Sequence, residues 1–182
     1  NWELAIIDPN AADKQTEYDV FGDARKSIDE LGTVTTRSTD KLGNVTRVEW
    51  HGITRKENFS GADAVTSTLT ERYDYDALGR RIGHTNTLGW IDKTYYDSLG
   101  RVTKTVSADG AATSYAYNYV AAGSAGGILG AGGKNLGGYK LTTTQQDGRR
   151  LVDATDYFGR TTWHQDLSGY AYTYRYDAGG RL

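Results

Sequence analysis

The feature that most constrains this chain is a six-residue pattern that returns at intervals of 21 residues. The pattern is tyrosine or threonine, then aspartate, two variable residues, glycine and a final polar residue, as in YDALGR at 75–80 and YDSLGR at 96–101. The starting positions 18 and 39, 75 and 96, and 155 and 176 are each separated by 21 residues. A repeat this short does not bury a core by itself, so the fold must come from the packing of neighbouring copies.

The pattern is present in six copies, and each has its aspartate and its glycine three residues apart. The defining residues are Tyr18, Asp19 and Gly22; Asp40 and Gly43; Tyr75, Asp76, Gly79 and Arg80; Tyr96, Asp97, Gly100 and Arg101; Asp156, Gly159 and Arg160; and Tyr176, Asp177, Gly180 and Arg181. A second glycine lies 14 residues after the start of four repeats, at positions 32, 89, 110 and 169. Glycines that mark turns therefore alternate at steps of 10 and 11 residues.

This spacing predicts an all-β fold of tandem β-hairpins, with two strands and two turns in each repeat. In YDALG, the Asp76 side chain is suited to accept hydrogen bonds from backbone amides of the turn. Gly79 supplies the positive φ that a type I turn followed by a G1 bulge requires. Ten or eleven residues per step leave strands of about six or seven residues, which is an ordinary length.

The period is interrupted twice, and the interruptions suggest a division of the chain. We predict a leading strand or linker at 1–17, repeats at 18–120, a glycine-rich insertion at 121–138 and further repeats at 139–182. The first interruption, 36 residues from Thr39 to Tyr75, is interpreted as one repeat plus a shortened repeat of 15 residues with a turn at Ser60-Gly61.

The composition narrows the classes of partner. The net charge is −2 with 21 basic and 23 acidic residues, so nucleic acid is not an expected partner. No apolar run reaches the length of about 18 residues that spans a membrane. Cysteine is absent, which removes disulfides and thiolate metal sites.

The residue types that perform catalysis show no catalytic arrangement. His51, His84 and His164 lie far apart and lack the spacing of metal ligands. The recurring aspartates are explained by the turns, and repetition argues against an active site, which needs one asymmetric group of residues. The glycine-rich stretch does not match the spacing of a phosphate-binding loop. We therefore expect no enzyme activity, no metal and no cofactor.

A row of tyrosines near the end of the chain is the best candidate for a ligand surface. Tyr170, Tyr172, Tyr174 and Tyr176 fall on alternate positions, so a single strand would place all four rings on one face. Such rings stack on sugars or bases, and the first three form the candidate ligand face. The alternative is a cross-strand ladder of tyrosines that only stabilises the sheet.

The sequences YDALGR, YDSLGR and YDAGGR resemble the Tyr-Asp (YD) repeat of the Rhs family, which includes bacterial polymorphic toxins, the shell components of insecticidal Tc toxins, wall-associated proteins and the animal teneurins. The resemblance implies a hairpin ribbon that curves or spirals into a hollow shell, of which this chain would be a segment. In the toxin branch of that family, the shell encloses a C-terminal toxin. The family's self-cleavage motif is not matched, because Asp8-Pro9 is followed by NAAD without the Gly-Leu pair.

The expected function is therefore structural: a wall segment that encloses and protects a toxin or effector in a secreted or cell-surface bacterial protein. The expected partners are the remainder of the shell, the enclosed domain and further copies that pair through edge strands. The alternative is an extracellular adhesion module whose tyrosine-rich face binds a carbohydrate or a receptor. A compact, strictly monomeric chain would favour that alternative.

Overall fold

A computed structural model of the chain describes residues 15–56, 64–121, 137–177 and 179–182. These residues form thirteen β-strands and no helix, which confirms the all-β prediction. The chain divides into two compact units, Asn1–Lys93 and Thr94–Leu182. No helix long and apolar enough to cross a membrane is found in the described part of the chain.

The N-terminal unit contains the first six strands and the start of the seventh. They are β1 (Gln15–Tyr18), β2 (Ala24–Ile28), β3 (Val34–Thr39), β4 (Val45–Lys56), β5 (Ala64–Tyr75), β6 (Arg81–Thr85) and β7 (Ile91–Tyr96). Each strand pairs antiparallel with the next in the chain. Pairing in chain order follows from the short turns, which leave a strand no other partner within reach.

The C-terminal unit has the same organisation. Its strands are β8 (Val102–Val106), β9 (Ala112–Val120), β10 (Gly138–Thr144), β11 (Arg150–Thr155), β12 (Thr161–Gln165) and β13 (Ala171–Thr173). They pair antiparallel in chain order from β8 to β13. The turns that begin at the recurring aspartates are here called the Tyr-Asp turns. Within each unit they lie at one end of the strands, and the intervening turns lie at the opposite end.

The interpretation of residues 39 to 75 as one repeat plus a shortened one is wrong. This stretch holds a single hairpin, β4 paired with β5, whose two strands are 12 residues long. The extra residues lengthen the strands instead of adding a turn. The proposed turn at Ser60-Gly61 lies outside the described residues.

The second interruption also joins two adjacent strands. Gly138 pairs with Val120, so β9 and β10 are neighbours on either side of the glycine-rich stretch. The connection stands where other repeats have a Tyr-Asp turn. Gly138, the last residue of the predicted insertion, belongs to β10, and residues 122–136 lie outside the described part.

Few described side chains are fully buried, as expected for sheets whose strands carry polar residues on both faces. Glycines aside, the buried residues of the described ranges are Val48, Val152, Ala154, Asp156 and Thr162. Four of the five belong to the C-terminal unit, on or beside β11 and β12. Asp156 is the one charged residue among them, so its hydrogen-bond partners decide whether this burial is tolerable.

Candidate functional site

The Tyr-Asp turns have the predicted geometry. In the turn at 76–79, the Gly79 amide donates to the Asp76 carbonyl at 3.0 Å and the Asp76 amide donates to the Arg80 carbonyl at 3.0 Å. Gly79 has a φ of 76°, a conformation that costs glycine little because it has no Cβ. The same pair of backbone bonds closes the turns that begin at positions 19, 40, 97, 156 and 177.

The side chain of each recurring aspartate accepts hydrogen bonds from residues of its own turn. Asp76 Oδ1 accepts from the amides of Leu78 at 2.9 Å and Arg80 at 3.0 Å, and its Oδ2 accepts from Arg80 Nε at 2.7 Å. The arginine after the turn glycine therefore pairs with the aspartate of its own turn. The same contact joins Asp97 to Arg101 and Asp177 to Arg181.

These hydrogen bonds stabilise the charged form of the carboxylates. The side-chain hydrogen bond from Arg80 lowers the pKa of Asp76, and the backbone hydrogen bond from Arg101 lowers the pKa of Asp97. In both cases partial burial opposes the effect without cancelling it. Asp76 and Asp97 are thus structural anions that remain charged at neutral pH.

Two of the Tyr-Asp turns are also joined, through the tyrosine that precedes the aspartate, to the previous Tyr-Asp turn at the same end of the strands. In the C-terminal unit, the Tyr176 ring lies over the Arg160 guanidinium at 4.9 Å, and its hydroxyl donates to the Thr161 carbonyl at 2.9 Å. In the N-terminal unit, the Tyr75 hydroxyl donates to the Val45 carbonyl at 3.0 Å. We call the space that such a ring occupies the tyrosine recess.

The recess has a fixed position in the repeat. Its floor is the residue after the turn glycine, and its hydrogen-bond acceptor is the carbonyl of the residue after that. Tyr117, which lies 21 residues after Tyr96, follows the rule for the floor, because its ring lies over the Arg101 guanidinium at 4.5 Å. The recurring tyrosines therefore stabilise the sheet: the rings of Tyr117 and Tyr176 cover a guanidinium, and the hydroxyls of Tyr75 and Tyr176 satisfy a carbonyl.

The prediction that one strand carries all four terminal tyrosines is wrong. Strand β13 covers only residues 171–173, so Tyr172 alone belongs to it. The Tyr170 backbone amide donates a hydrogen bond to Asp166 Oδ1 in the preceding turn, and Tyr170 is 69% exposed. Tyr176 fills a recess. Tyr174 is half-buried, and its amide donates to the Thr162 carbonyl. Of the predicted ligand face, Tyr170 and Tyr172 are exposed.

A second group of tyrosines, which the sequence did not reveal, lies in the C-terminal unit. Tyr119 and Tyr139 are register partners on β9 and β10, with ring centroids 5.8 Å apart. Tyr157, from the turn after β11, lies 6.0 Å and 6.3 Å from them, and its hydroxyl is 2.7 Å from that of Tyr119. All three rings are between 45% and 62% exposed. The pairing that creates this cluster joins strands that lie before and after the glycine-rich stretch. No short sequence motif therefore predicts the cluster.

Beside this tyrosine cluster is a pocket of about 250 Å³. Its walls include Tyr119, Tyr139, Leu141, Asp153 and Thr155. It is smaller than the roughly 300–1,000 Å³ of sites for drug-sized ligands, so it admits one ring-sized group. A pocket with exposed aromatic rings at its mouth is the part of the C-terminal unit best suited to bind another molecule.

The three histidines have separate structural surroundings. His84 stacks on Tyr73 with centroids 4.9 Å apart, and His51 Nε2 lies 2.9 Å from the Thr36 hydroxyl. His164 Nδ1 is 2.7 Å from Asp153 Oδ1, which positions that carboxylate at the pocket wall. No group of three or more potential metal ligands is found among the residues that the structure describes.

No family model matches the chain, and no curated protein matches it. Crystal structures described as TcdB2-TccC3 and TcdB2-TccC3-TEV are similar at 12% and 13% identity with TM-scores of 0.31, over 86% and 89% of this chain. A Tc holotoxin pore from Photorhabdus luminescens is similar at 12% identity and a TM-score of 0.29.

The chain spans only about 12% of the length of the first two structures and 11% of the third. TM-scores of this size are too low to establish a common fold. The geometry of the turns and the resemblance of the repeat are therefore the evidence that bears on function.

Proposed function

We propose that this chain is a structural segment of an Rhs-like shell wall, in a secreted or cell-surface bacterial protein that encloses and protects a toxin or effector. The observation that carries the proposal is the reuse of one device in both units. Aspartate holds each turn, and tyrosine joins a turn to its neighbour. In this proposal, the recurring aspartates, arginines and tyrosines serve to build a hydrogen-bonded wall.

The mechanism of such a wall is physical. Backbone groups paired from strand to strand leave few sites at which a protease can bind an extended segment, and the enclosed polypeptide stays separate from the surroundings. The chain performs no bond-making chemistry in this proposal. Its partners are the remaining wall, the enclosed domain and further strands that pair with its edges.

Edge pairing gives the proposal a direct test. Size-exclusion chromatography with light scattering, over a hundredfold range of concentration, is expected to show a mass that rises with concentration. Replacing both Ala171 and Thr173, which are exposed on β13, by lysine is expected to reduce this association, because charged residues on an edge strand oppose pairing. Ser114→Lys, on an exposed position of the interior strand β9, is the matched control. A constant monomer mass for the unsubstituted chain would contradict the wall segment and favour the second candidate.

The second candidate is an extracellular adhesion module that binds a carbohydrate or a receptor. The exposure of Tyr170 and Tyr172, at 69% and 48%, favours it. If it is correct, an array of cell-surface glycans is expected to show saturable binding that Tyr170→Ala and Tyr172→Ala weaken at least about tenfold, the loss of one aromatic contact or more. Tyr95→Ala, at another exposed tyrosine, is the control and is expected to bind unchanged. Equal binding by all variants would remove these rings from consideration.

A further inference from the structure

The pocket beside the tyrosine cluster coincides with a tyrosine recess whose own tyrosine is replaced by threonine. Thr155 occupies the position that Tyr75 and Tyr176 occupy in their repeats. Those two tyrosines fill their recesses and donate to a carbonyl of the preceding strand. Thr155 is half-buried and has no ring with which to do the same.

The strand register identifies the other parts of this recess. Thr155 pairs with Tyr139. In the recess of Tyr176, the residue that corresponds to Tyr139 is Arg160, which follows the turn glycine and lies under the ring. The residue after Tyr139, Lys140, is then at the register position of Val45 and Thr161, whose carbonyls accept the tyrosine hydroxyls. Tyr139, Lys140 and Thr155 all line the pocket.

We propose that this pocket binds the phenol ring of a tyrosine from a partner polypeptide. The ring would pack against Tyr139 and Leu141, as aromatic pairs do at inclined angles, and its hydroxyl would donate to the Lys140 carbonyl. A cationic group is disfavoured, because the Arg101 guanidinium is also at the wall. A sugar is disfavoured because Asp153, a wall residue that would bind its hydroxyls, is engaged by His164.

The partner is a polypeptide because the repeat itself specifies the contact. Recesses of this construction hold the Tyr75 and Tyr176 side chains of a neighbouring repeat. Anchoring of one aromatic side chain in a preformed pocket is a common source of binding energy between proteins. The inference does not depend on the shell, since it concerns one pocket of the C-terminal unit and makes no use of enclosure.

The test is a titration of the isotope-labelled chain with four small probes, followed by nuclear magnetic resonance. N-acetyl-L-tyrosinamide is expected to cause saturable shifts in the methyl signals of Leu141 and Thr155, with millimolar affinity as befits a single ring. N-acetyl-L-phenylalaninamide, which lacks the hydroxyl, is expected to bind about 2- to 10-fold more weakly. N-acetyl-L-leucinamide and methyl β-D-glucopyranoside are expected to cause no saturable shift at these residues.

A variant whose own side chain fills the recess provides a second test of the proposal. Thr155→Tyr is expected to lose the binding of N-acetyl-L-tyrosinamide by at least about tenfold and to raise the midpoint of thermal unfolding, because its own ring occupies the site. Thr39→Tyr, the same change at the same repeat position in the N-terminal unit, is the control and is expected to bind as the unsubstituted chain does.

Three results would overturn the proposal: no saturable shift with the tyrosine probe, preferential binding of the glucoside, or undiminished binding by a folded Thr155→Tyr chain. If that variant does not fold, the four probes on the unsubstituted chain still decide. Failure of the wall proposal would appear separately, as a constant monomer mass in light scattering.

Discussion

Replacing Gly138 by alanine is expected to destabilise the C-terminal unit by about 3–5 kcal/mol, the combined effect of backbone strain and overpacking. Gly138 begins β10 with a φ of 146°, which a residue with a side chain rarely adopts. A Cβ there would overlap the Thr155 carbonyl oxygen and lie 3.0 Å from the Asp156 Cα. Both atoms belong to the backbone, so the alanine is accommodated only if β10 and β11 move apart.

Urea denaturation followed by tryptophan fluorescence and circular dichroism measures this loss. Gly148→Ala is the matched control, because Gly148 has a φ of 84° and a Cβ added to it would meet no atom within 4 Å. Its cost is expected to be only the conformational one, about 1–2 kcal/mol. Equal losses for the two variants would show that the close approach of Gly138 to Thr155 does not matter for stability.

The turns were predictable because their determinants are local. The carboxylate of Asp76, two amides within four residues and a glycine with positive φ are all contained in one hexapeptide. Pairing in chain order was predictable for a related reason, since a four-residue turn leaves a strand beside its predecessor. The turn at 145–148 has the same backbone bonds, but glutamine replaces the usual aspartate or asparagine at its start, and the sequence did not reveal it.

The lengthened hairpin β4–β5 shows that the interval between repeat starts does not by itself predict the number of strands. An interval of 36 residues fits a full repeat plus a shortened one as well as it fits one repeat with longer strands. Alternation of residues continues in either case, so the sequence has no local signal that separates them. Contacts between the two strands, such as the pairing of Trp50 with Leu69, decide between these arrangements.

The terminal tyrosines show a different limit, which is that alternation does not fix where a strand begins and ends. Strand β13 covers only residues 171–173, so Tyr170 lies in the turn before it and Tyr176 lies after it. The position of Tyr176 is defined by its recess, through the Arg160 guanidinium and the Thr161 carbonyl. Four alternate tyrosines in the sequence therefore do not predict that one strand carries them all.

The aspartate that begins the turn at 156–159 is expected to be the most sensitive of the recurring carboxylates. Asp156 is 2% exposed, and its oxygens accept from the Phe158 and Arg160 amides and from Arg160 Nε at 2.7–3.0 Å. Asp156→Ala is expected to lower the free energy of unfolding by about 2–4 kcal/mol, because it leaves these donors without an acceptor in a buried place. Asp177→Ala, in an exposed turn of the same geometry, is the control and is expected to cost much less.

The pH dependence of this difference tests the cause. Burial alone would raise the pKa of Asp156, but the hydrogen bonds from the Arg160 side chain and from the Arg160 and Phe158 amides outweigh it and lower the pKa. A carboxylate with a lowered pKa in the folded state contributes stability that is fully present above its unfolded pKa of about 3.9 and is lost as the pH falls through the folded value. The unsubstituted chain and Asp156→Ala are thus expected to differ most between about pH 5 and pH 7 and to converge below about pH 4. A difference that stays constant down to about pH 2 would mean that packing of the side chain, and not its charge, holds the turn.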